Sequence, residues 1–197
     1  MQHRKREDIK SANRLNIMDA ALKVFADLGY AGTTIRDIIR ESGLAIGTFY
    51  NYFPDKDAIL DEIFSHEAKR LRLQLQKIRS QSTSPYYIIK SAYLALFETF
   101  TNHPLKLKLL TKNAGLIRTL LYEKGQLNAF IFELESDLQN IIDSGLVKPF
   151  NVKYTAWAMV GAGLEFLVQM AEDPSLDAND LADYISNLFL KGLDVQL

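Results

Sequence analysis

The residues best suited to specific recognition lie in a short segment at 45–52. Its sequence, Ala-Ile-Gly-Thr-Phe-Tyr-Asn-Tyr, is rich in small side chains and in hydroxyl and amide groups. In a helix, Phe49 and the following Phe53 would turn inward. The opposite face would hold Gly47, Thr48, Tyr50 and Asn51. Small residues let a backbone approach a groove, and hydroxyls and amides hydrogen-bond phosphates or base edges. The segment therefore favours nucleic-acid recognition, with a purely architectural helix pair in a protein-interaction module as the alternative.

Catalytic chemistry has little support in the sequence. The three histidines, His3, His66 and His103, are isolated, and the chain has no cysteine. It also has no paired His motif at metal spacing and no glycine-rich phosphate loop. An all-α enzyme is the competing function, and it would need a catalytic constellation that is not visible. We therefore expect no enzyme activity, no metal site and no cofactor.

Charge is distributed unevenly along the chain. The net charge is −1, but residues 1–79 carry fourteen Lys/Arg against eleven Asp/Glu, and residues 80–197 carry nine against thirteen. A basic N-terminal part followed by an acidic remainder is typical of a phosphate-facing module joined to a regulatory domain, although the charge of solvated surfaces varies by this much too. The basic N-terminal arm could follow a DNA backbone or be disordered. Without an apolar run of membrane-spanning length, we expect no membrane partner and a cytoplasmic location.

The first part of the chain reads as four helices. Apolar residues at helical spacing predict a helix over 14–28 that ends at Gly29. Thr33 is the predicted N-cap of a short helix through residue 40, and Gly43 supplies the turn to a second short helix over 45–52. Asp55 is the predicted N-cap of a long helix that ends near residue 79.

The rest of the chain reads as further helices after a polar segment at 80–84. We predict them over 86–102, 104–123, 126–144, 152–172 and 178–191, with no strand. The fold class is therefore all-α. The predicted domains are a three-helix, homeodomain-like helix-turn-helix domain (1–55), a connecting helix (56–79), and a helical ligand-binding and dimerisation domain (80–197).

One string of residues identifies a family resemblance. It runs Phe25-(x3)-Gly29-Tyr30-(x2)-Thr33-Thr34-Ile35-(x2)-Ile38, then Gly43-Leu44-(x2)-Gly47-Thr48-Phe49-Tyr50-(x)-Tyr52-Phe53-(x2)-Lys56-(x3)-Leu60. This string closely resembles the N-terminal domain of the tetracycline-repressor (TetR) family over residues 12–62, about a third of the chain. The remainder is similar to the family only in helix count, length and apolar character.

The resemblance implies DNA contacts at matching positions. Phosphate contacts fall at the start of the second helix, on Tyr50, and on a lysine that opens the long helix. Base or phosphate contacts fall on the leading edge of the recognition helix and on Asn51. The full implied set is Thr33, Thr34, Arg36, Ala45, Ile46, Gly47, Thr48, Tyr50, Asn51, Tyr52 and Lys56. Two positions depart from the family pattern: Ala45 stands where a hydroxyl often caps the recognition helix, and Ile39 stands where alanine is usual.

Aromatic and methionine residues at helical spacing populate the second domain. Such residues are core by default, but some should line a cavity if the domain senses a small molecule, because ligand pockets are mostly apolar. The candidate lining residues are Phe97, Phe100, Asn113, Leu116, Phe130, Trp157 and Phe166. Their character suggests a lipophilic or aromatic effector.

Small residues cluster in the helix over 152–172. Glycine inside a helix costs about 0.5–1 kcal/mol relative to alanine, so Gly161 and Gly163 need a reason, such as close approach of another helix. In the TetR family the last two helices usually form the interface of a homodimer, and packing within one subunit is the alternative. The resemblance thus implies a dimer on double-stranded DNA, with recognition helices spaced about 34–36 Å apart or a multiple of that. We expect a repressor that releases a pseudo-palindromic operator when it binds its effector, although activation stays open.

Overall fold

The computed structural model describes residues 2–123, 126–145 and 147–192. Within these residues the chain forms helices and no strand. The helices are α1 (Gln2–Leu28), α2 (Ile35–Ser42), α3 (Ile46–Tyr50), α4 (Lys56–Gln81), α5 (Pro85–Thr101), α6 (Pro104–Lys112), α7 (Ala114–Glu123), α8 (Gln126–Asp143), α9 (Val152–Glu172) and α10 (Ala178–Lys191). The predicted all-α fold is confirmed. No helix in the described ranges is long and apolar enough to cross a membrane.

Helix α1 begins twelve residues earlier than predicted. Residues 6–12 are exposed, and Ile9 is among them. This stretch therefore has no buried stripe from which periodicity could predict a helix. Its Lys, Arg, Glu and Ala residues favour helix by intrinsic propensity instead. The basic residues at the N-terminus thus continue α1 rather than forming a separate arm.

The head of the molecule, α1–α3 with the start of α4, has its own apolar core. Phe25, Ile38, Phe49 and Ile59 are completely buried there. Helix α2 begins one residue later than predicted, because Thr34 and not Thr33 is its N-cap. Gly43 ends α2 in the left-handed conformation, at φ 69°. This glycine turns the chain directly into α3, as the sequence predicted.

Arg14 connects α1 to α4 and to the segment between α3 and α4. Its guanidinium pairs with Glu62 of α4, with Nε 2.6 Å from Oε1, and lies 4.4 Å from the centre of the Phe53 ring. Its Nη1 also donates to the Tyr52 carbonyl at 3.0 Å. Because these partners lie far away in sequence, the contact holds the helix-turn-helix against both flanking helices.

The body consists of α4–α10 packed side by side. Helix α5 is central and contacts α4, α9 and α10. The Tyr93 hydroxyl of α5 donates to the Met159 carbonyl of α9 at 2.8 Å, and Lys90 pairs with Asp183 of α10 at 3.1 Å. The single helix predicted over 104–123 is wrong, because α6 and α7 are separated at Asn113.

Head and body are joined in two places. Helix α4 runs continuously through both, and α6 contacts the C-terminal end of α1. There Lys108 pairs with Asp27 at 2.7 Å, and the Asn113 side-chain oxygen accepts a hydrogen bond from the Tyr30 amide at 2.8 Å. Asn113 breaks the predicted helix at this contact: its backbone leaves helical geometry (φ −127°, ψ 23°) and its side chain binds the head instead.

Candidate nucleic-acid interface and ligand cavity

Helix α3 presents one exposed face to solvent. Ile46 is 50% exposed and Tyr50 is 59% exposed. Gly47 and Asn51 are also exposed, and Thr48 is half-buried. Phe49 and Phe53 are buried on the other side, as predicted. The exposed face therefore carries a phenol, an amide and a hydroxyl on a short helix anchored by two aromatic rings.

The start of α3 lacks a side-chain cap. Ala45 is exposed at the N-cap position and has no side-chain hydrogen bond. Its carbonyl accepts from the Thr48 amide at 2.8 Å. The first amides of a helix have no acceptor within the helix, so a partner such as a phosphate can take them.

The start of α2 is closed by Thr34 and Asp37. The Thr34 hydroxyl accepts from the Asp37 amide at 3.3 Å, and the Asp37 carboxylate accepts from the Thr34 amide at 3.0 Å. The Thr34 hydroxyl also donates to the Asp37 carboxylate at 2.6 Å. This hydrogen bond, followed by the one from the Thr34 amide, lowers the pKa of Asp37, with a smaller contribution from Arg40. Arg36 is exposed on the same helix, so its guanidinium is available to an anionic partner.

Three residues implied as DNA contacts are engaged with the protein itself. Thr33 is buried, and its hydroxyl donates to the Gly29 carbonyl at 2.7 Å, so this side chain holds the α1–α2 turn. A phosphate contact through the backbone at this position stays a prediction. The Tyr52 hydroxyl accepts from the Asn13 side chain of α1 at 3.2 Å. The Lys56 ammonium has the most extensive contacts of the three.

Lys56 joins the start of α4 to the α1–α2 turn. Its Nζ donates to the carbonyls of Tyr30 at 2.9 Å and Thr33 at 3.0 Å, and it lies 4.3 Å from the centre of the Tyr30 ring. An ammonium has three N–H donors, so one remains for a phosphate. Phosphate binding by Lys56 stays a prediction. The structure also gives this lysine a role in holding the α1–α2 turn.

The body contains an apolar cavity of about 210 Å³. Helices α4, α5, α8 and α9 form its walls, and α6 contributes Leu110. The side of α4 facing it carries Leu71, Leu75 and Ile78. We predicted a cavity within 86–172 and so missed this wall. The apolar stripe of α4 continues beyond the part of that helix that the head covers, and this was the available signal.

Two of the seven predicted lining residues do line the cavity, namely Phe100 and Phe130. The other five predicted residues do not line this cavity. Phe97 is fully buried elsewhere and stacks on Tyr93, with 5.9 Å between the ring centres. Asn113 binds the head, and Phe166 packs against the core beside the cavity. Leu116 and Trp157 are exposed. Helical spacing predicts which side chains are buried but not which neighbours they contact.

Charged groups lie at the end of the cavity nearest the C-terminus of α4. Arg79 Nη2 is 3.0 Å from Glu133 Oε2, and Arg79 Nε is 3.4 Å from Asp137 Oδ2. Arg72 also pairs with Glu133, with Nε 2.8 Å from Oε1. Burial raises the pKa of Asp137, and the nearby Arg79 offsets part of that rise. This end therefore carries two guanidiniums paired with two carboxylates.

The hydroxyl groups of Tyr93 and Thr99 in the cavity wall are already hydrogen-bonded. Burial raises the pKa of Tyr93 well above its usual value, so its phenol stays neutral. Thr99 donates to the Ala95 carbonyl at 2.7 Å. Within the described residues, no three His, Asp or Glu side chains come together as a metal site.

Residues 17–63 match the model of the family described as bacterial regulatory proteins, tetR family. The head of this chain therefore contains a domain of the tetR type. The match covers α2 and α3 together with the buried parts of the adjoining helices. Helices α2 and α3 thus belong to a helix-turn-helix domain, and the protein is a DNA-binding transcription regulator.

Similarity to individual proteins extends beyond the residues that match the family model. The HTH-type transcriptional regulator YhgD of Bacillus subtilis is 26% identical over 180 residues, which are 90% of this chain and 94% of that protein. The HTH-type transcriptional repressor KstR2 of Mycolicibacterium smegmatis is 30% identical over 88 residues, 45% of this chain and 43% of its own length. The structure of FadR from Bacillus subtilis, in complex with stearoyl-CoA, superposes with a TM-score of 0.81 at 21% identity, covering 91% of this chain and 98% of that one. The last similarity shows a shared fold.

Proposed function

We propose that this protein is a homodimeric repressor that releases a pseudo-palindromic operator when a lipophilic effector fills the cavity of the body. The observation that carries the proposal is the coexistence, in one chain, of an exposed recognition face on α3 and a separate apolar cavity. Regulation rather than catalysis accounts for both features. Since the proposed partner is DNA, we place the protein in the cytoplasm.

DNA recognition is proposed to use the exposed residues of α2 and α3. Tyr50 and Arg36 would bind phosphates, because a phenol and a guanidinium both donate hydrogen bonds to phosphate oxygens. Gly47 would let the backbone of α3 approach the floor of the major groove. Ile46 offers an apolar surface to a thymine methyl group. Repression is supported by the similarity, over 88 residues, to the repressor KstR2.

The effector is proposed to be an elongated apolar molecule. The cavity follows α4 from Phe64 to Arg79, which at 1.5 Å per residue is about 22 Å. FadR of Bacillus subtilis, which has the same fold, is known in complex with stearoyl-CoA. An acyl chain attached to a polar group is therefore the first ligand class to test. A flat aromatic molecule is the alternative, and Phe100 and Phe130 in the wall favour it.

The effector would act on the head through α6 as well as α4. Leu110 of α6 lines the cavity, and Lys108 and Asn113 at the same end of that helix bind the head. A molecule that displaces Leu110 would therefore move the contact with Asp27 and Tyr30. An effector can shift the equilibrium only by its difference in affinity for the two orientations of the head.

The dimer is proposed to form through α9 and α10. On α9, Tyr154, Trp157 and Gly161 are exposed, and on α10 Tyr184 is exposed. Apart from the adjoining residues and nearby backbone of α9 itself, no heavy atom lies within 4 Å of a Cβ added at Gly161, whereas a Cβ at Gly163 would lie 3.0 Å from Leu96 Cδ2. Gly163 thus accommodates packing within one subunit. Gly161 is open, as close approach of a second subunit would require.

The proposal is tested by selecting bound duplexes from a random library and measuring their affinity by fluorescence anisotropy. We expect an inverted repeat, an affinity that falls steeply with salt, and release of the DNA by stearoyl-CoA. Tyr50→Phe should weaken the complex, whereas Tyr87→Phe, a matched change at an exposed tyrosine of the body, should not. An absence of salt-sensitive binding to any duplex would instead indicate a protein-interaction module.

A further inference from the structure

Glu67 of α4 is an unusual member of an otherwise apolar stretch of the cavity wall. Its neighbours along the wall include Phe64, Ala68 and Leu110. The side chain is only 13% exposed, and its Oε1 lies 2.8 Å from the ammonium of Lys106 in α6, which is 15% exposed. Its second oxygen, Oε2, is buried and has no hydrogen-bond partner in the structure.

An unpartnered buried carboxylate oxygen is costly, because it has lost its hydration without a protein donor in exchange. Nearby hydroxyls do not supply that donor. Thr99 donates to Ala95, and Tyr93 donates to Met159. His66 faces Oε1 at 3.6 Å and is largely exposed, so it does not serve Oε2 either. Because Glu67 lines the cavity, a molecule bound there can supply the missing donor.

We propose that Glu67 Oε2 accepts a hydrogen bond from a neutral donor on the effector, either a hydroxyl or an amide N–H. This inference rests on the cavity of the proposed function and specifies the polar group that its ligand carries. Lys106 neutralises the carboxylate and holds Oε1, which leaves Oε2 directed to the ligand. A carboxylate at that end of the ligand would be repelled by Glu67, and an ether or ester oxygen would bring no proton.

The affinities of two isomeric ligands distinguish the contribution of this hydrogen bond from that of apolar burial. 1-Octanol and 1-methoxyheptane have the same atoms and nearly the same shape, but only the alcohol has a donor. Isothermal titration calorimetry on the full-length protein should show that 1-octanol binds about tenfold tighter or more, as expected for a hydrogen bond to a charged acceptor. N-hexylacetamide against its N-methyl derivative tests an amide donor in the same way. Octanoate at pH 8 should bind more weakly than 1-octanol.

The matched variants locate the preference. Glu67→Leu combined with Lys106→Met replaces the ion pair by apolar side chains, a change that often preserves folding. In this double variant the two isomers should bind with equal affinity. Lys108 lies on the same helix as Lys106 and forms a surface ion pair with Asp27 of α1. Lys108→Met removes that pair and should keep the tenfold preference for 1-octanol.

Equal binding of both isomers by the wild-type protein, or a preference that survives in the double variant, overturns the assignment of Glu67. The wild-type comparison needs no variant, so misfolding of the double variant does not remove the test. Binding of neither isomer also overturns the assignment. Failure of the proposed function would appear elsewhere, as lack of operator binding or of release by stearoyl-CoA.

Discussion

Replacing Gly161 by leucine tests the dimer interface more sharply than any other single change. Within one subunit no atom of another helix lies within 4 Å of the added Cβ, so the monomer can accept the side chain. Leucine in place of glycine should stabilise α9 by about 0.5–1 kcal/mol through helix propensity. If α9 of a partner packs there, overpacking costs about 1–3 kcal/mol per substituted site.

The dimer carries the substitution twice, because a two-fold interface uses the same patch on both subunits. The expected penalty is therefore about 2–6 kcal/mol per dimer, or roughly a thirtyfold or greater rise in the dissociation constant. The helix-propensity gain is common to monomer and dimer and does not enter that constant. Sedimentation equilibrium over a concentration series measures it directly.

Gly163→Leu is the matched control, since it is the same substitution two residues along the same helix. Its Cβ would meet Leu96 at 3.0 Å and Tyr93 at 3.3 Å inside the subunit. We expect a lower melting temperature for Gly163→Leu and a weaker dimer with an intact fold for Gly161→Leu. A Gly161→Leu protein with an unchanged dimer constant would show that the interface lies elsewhere, for example around the 72% exposed Phe132 of α8.

Three further predictions concern the DNA contact, the cavity and its charged end. Tyr50→Phe should weaken binding to specific and random duplexes by the same factor, because a phosphate contact carries no sequence information; an altered preferred sequence in the anisotropy assay would contradict this. Phe100→Trp should fill the cavity and abolish the response to stearoyl-CoA, while DNA affinity stays the same and the melting temperature stays the same or rises. A lowered melting temperature would indicate a solid core. Asp137→Asn should raise the melting temperature at pH 7, because burial raises the pKa of Asp137 and its ionised form destabilises the fold; this gain should vanish as the pH falls through that pKa. Asp183→Asn should lower the melting temperature at pH 7, since Tyr86 and Lys90 lower the pKa of Asp183. Equal shifts of the melting temperature in both variants would refute the reasoning.

Local chemistry made much of the head predictable from sequence. The turn at Gly43 needs a positive φ, the cap at Asp55 accepts from the Ala58 amide at 2.8 Å, and Phe49 and Phe53 alternate with polar residues at helical spacing. Each of these features depends on residues within about four positions of one another. The bounds of α9 were predicted for the same reason, because Asn151 caps that helix through its own side chain.

Features set by distant partners could not be predicted. Asn113 ends α6 because its side chain reaches Tyr30, 83 residues earlier. Lys56 is held by the carbonyls of the α1–α2 turn, which no spacing rule connects to the start of α4. The cavity depends on which faces of α4 and α8 meet, so only two of its aromatic residues were identified.

The double attachment of the head restricts how an effector can act. A rigid body fixed at one point can swivel in any direction, whereas one fixed at two points can turn only about the line that joins them. Because α4 enters the head and α6 contacts Asp27 and Tyr30, any movement that keeps both attachments is a rotation about a single axis. In a symmetric pair the two rotations are equal, and the separation of the recognition helices then depends on one angle. Effectors of different shape would differ only in how far they turn that angle.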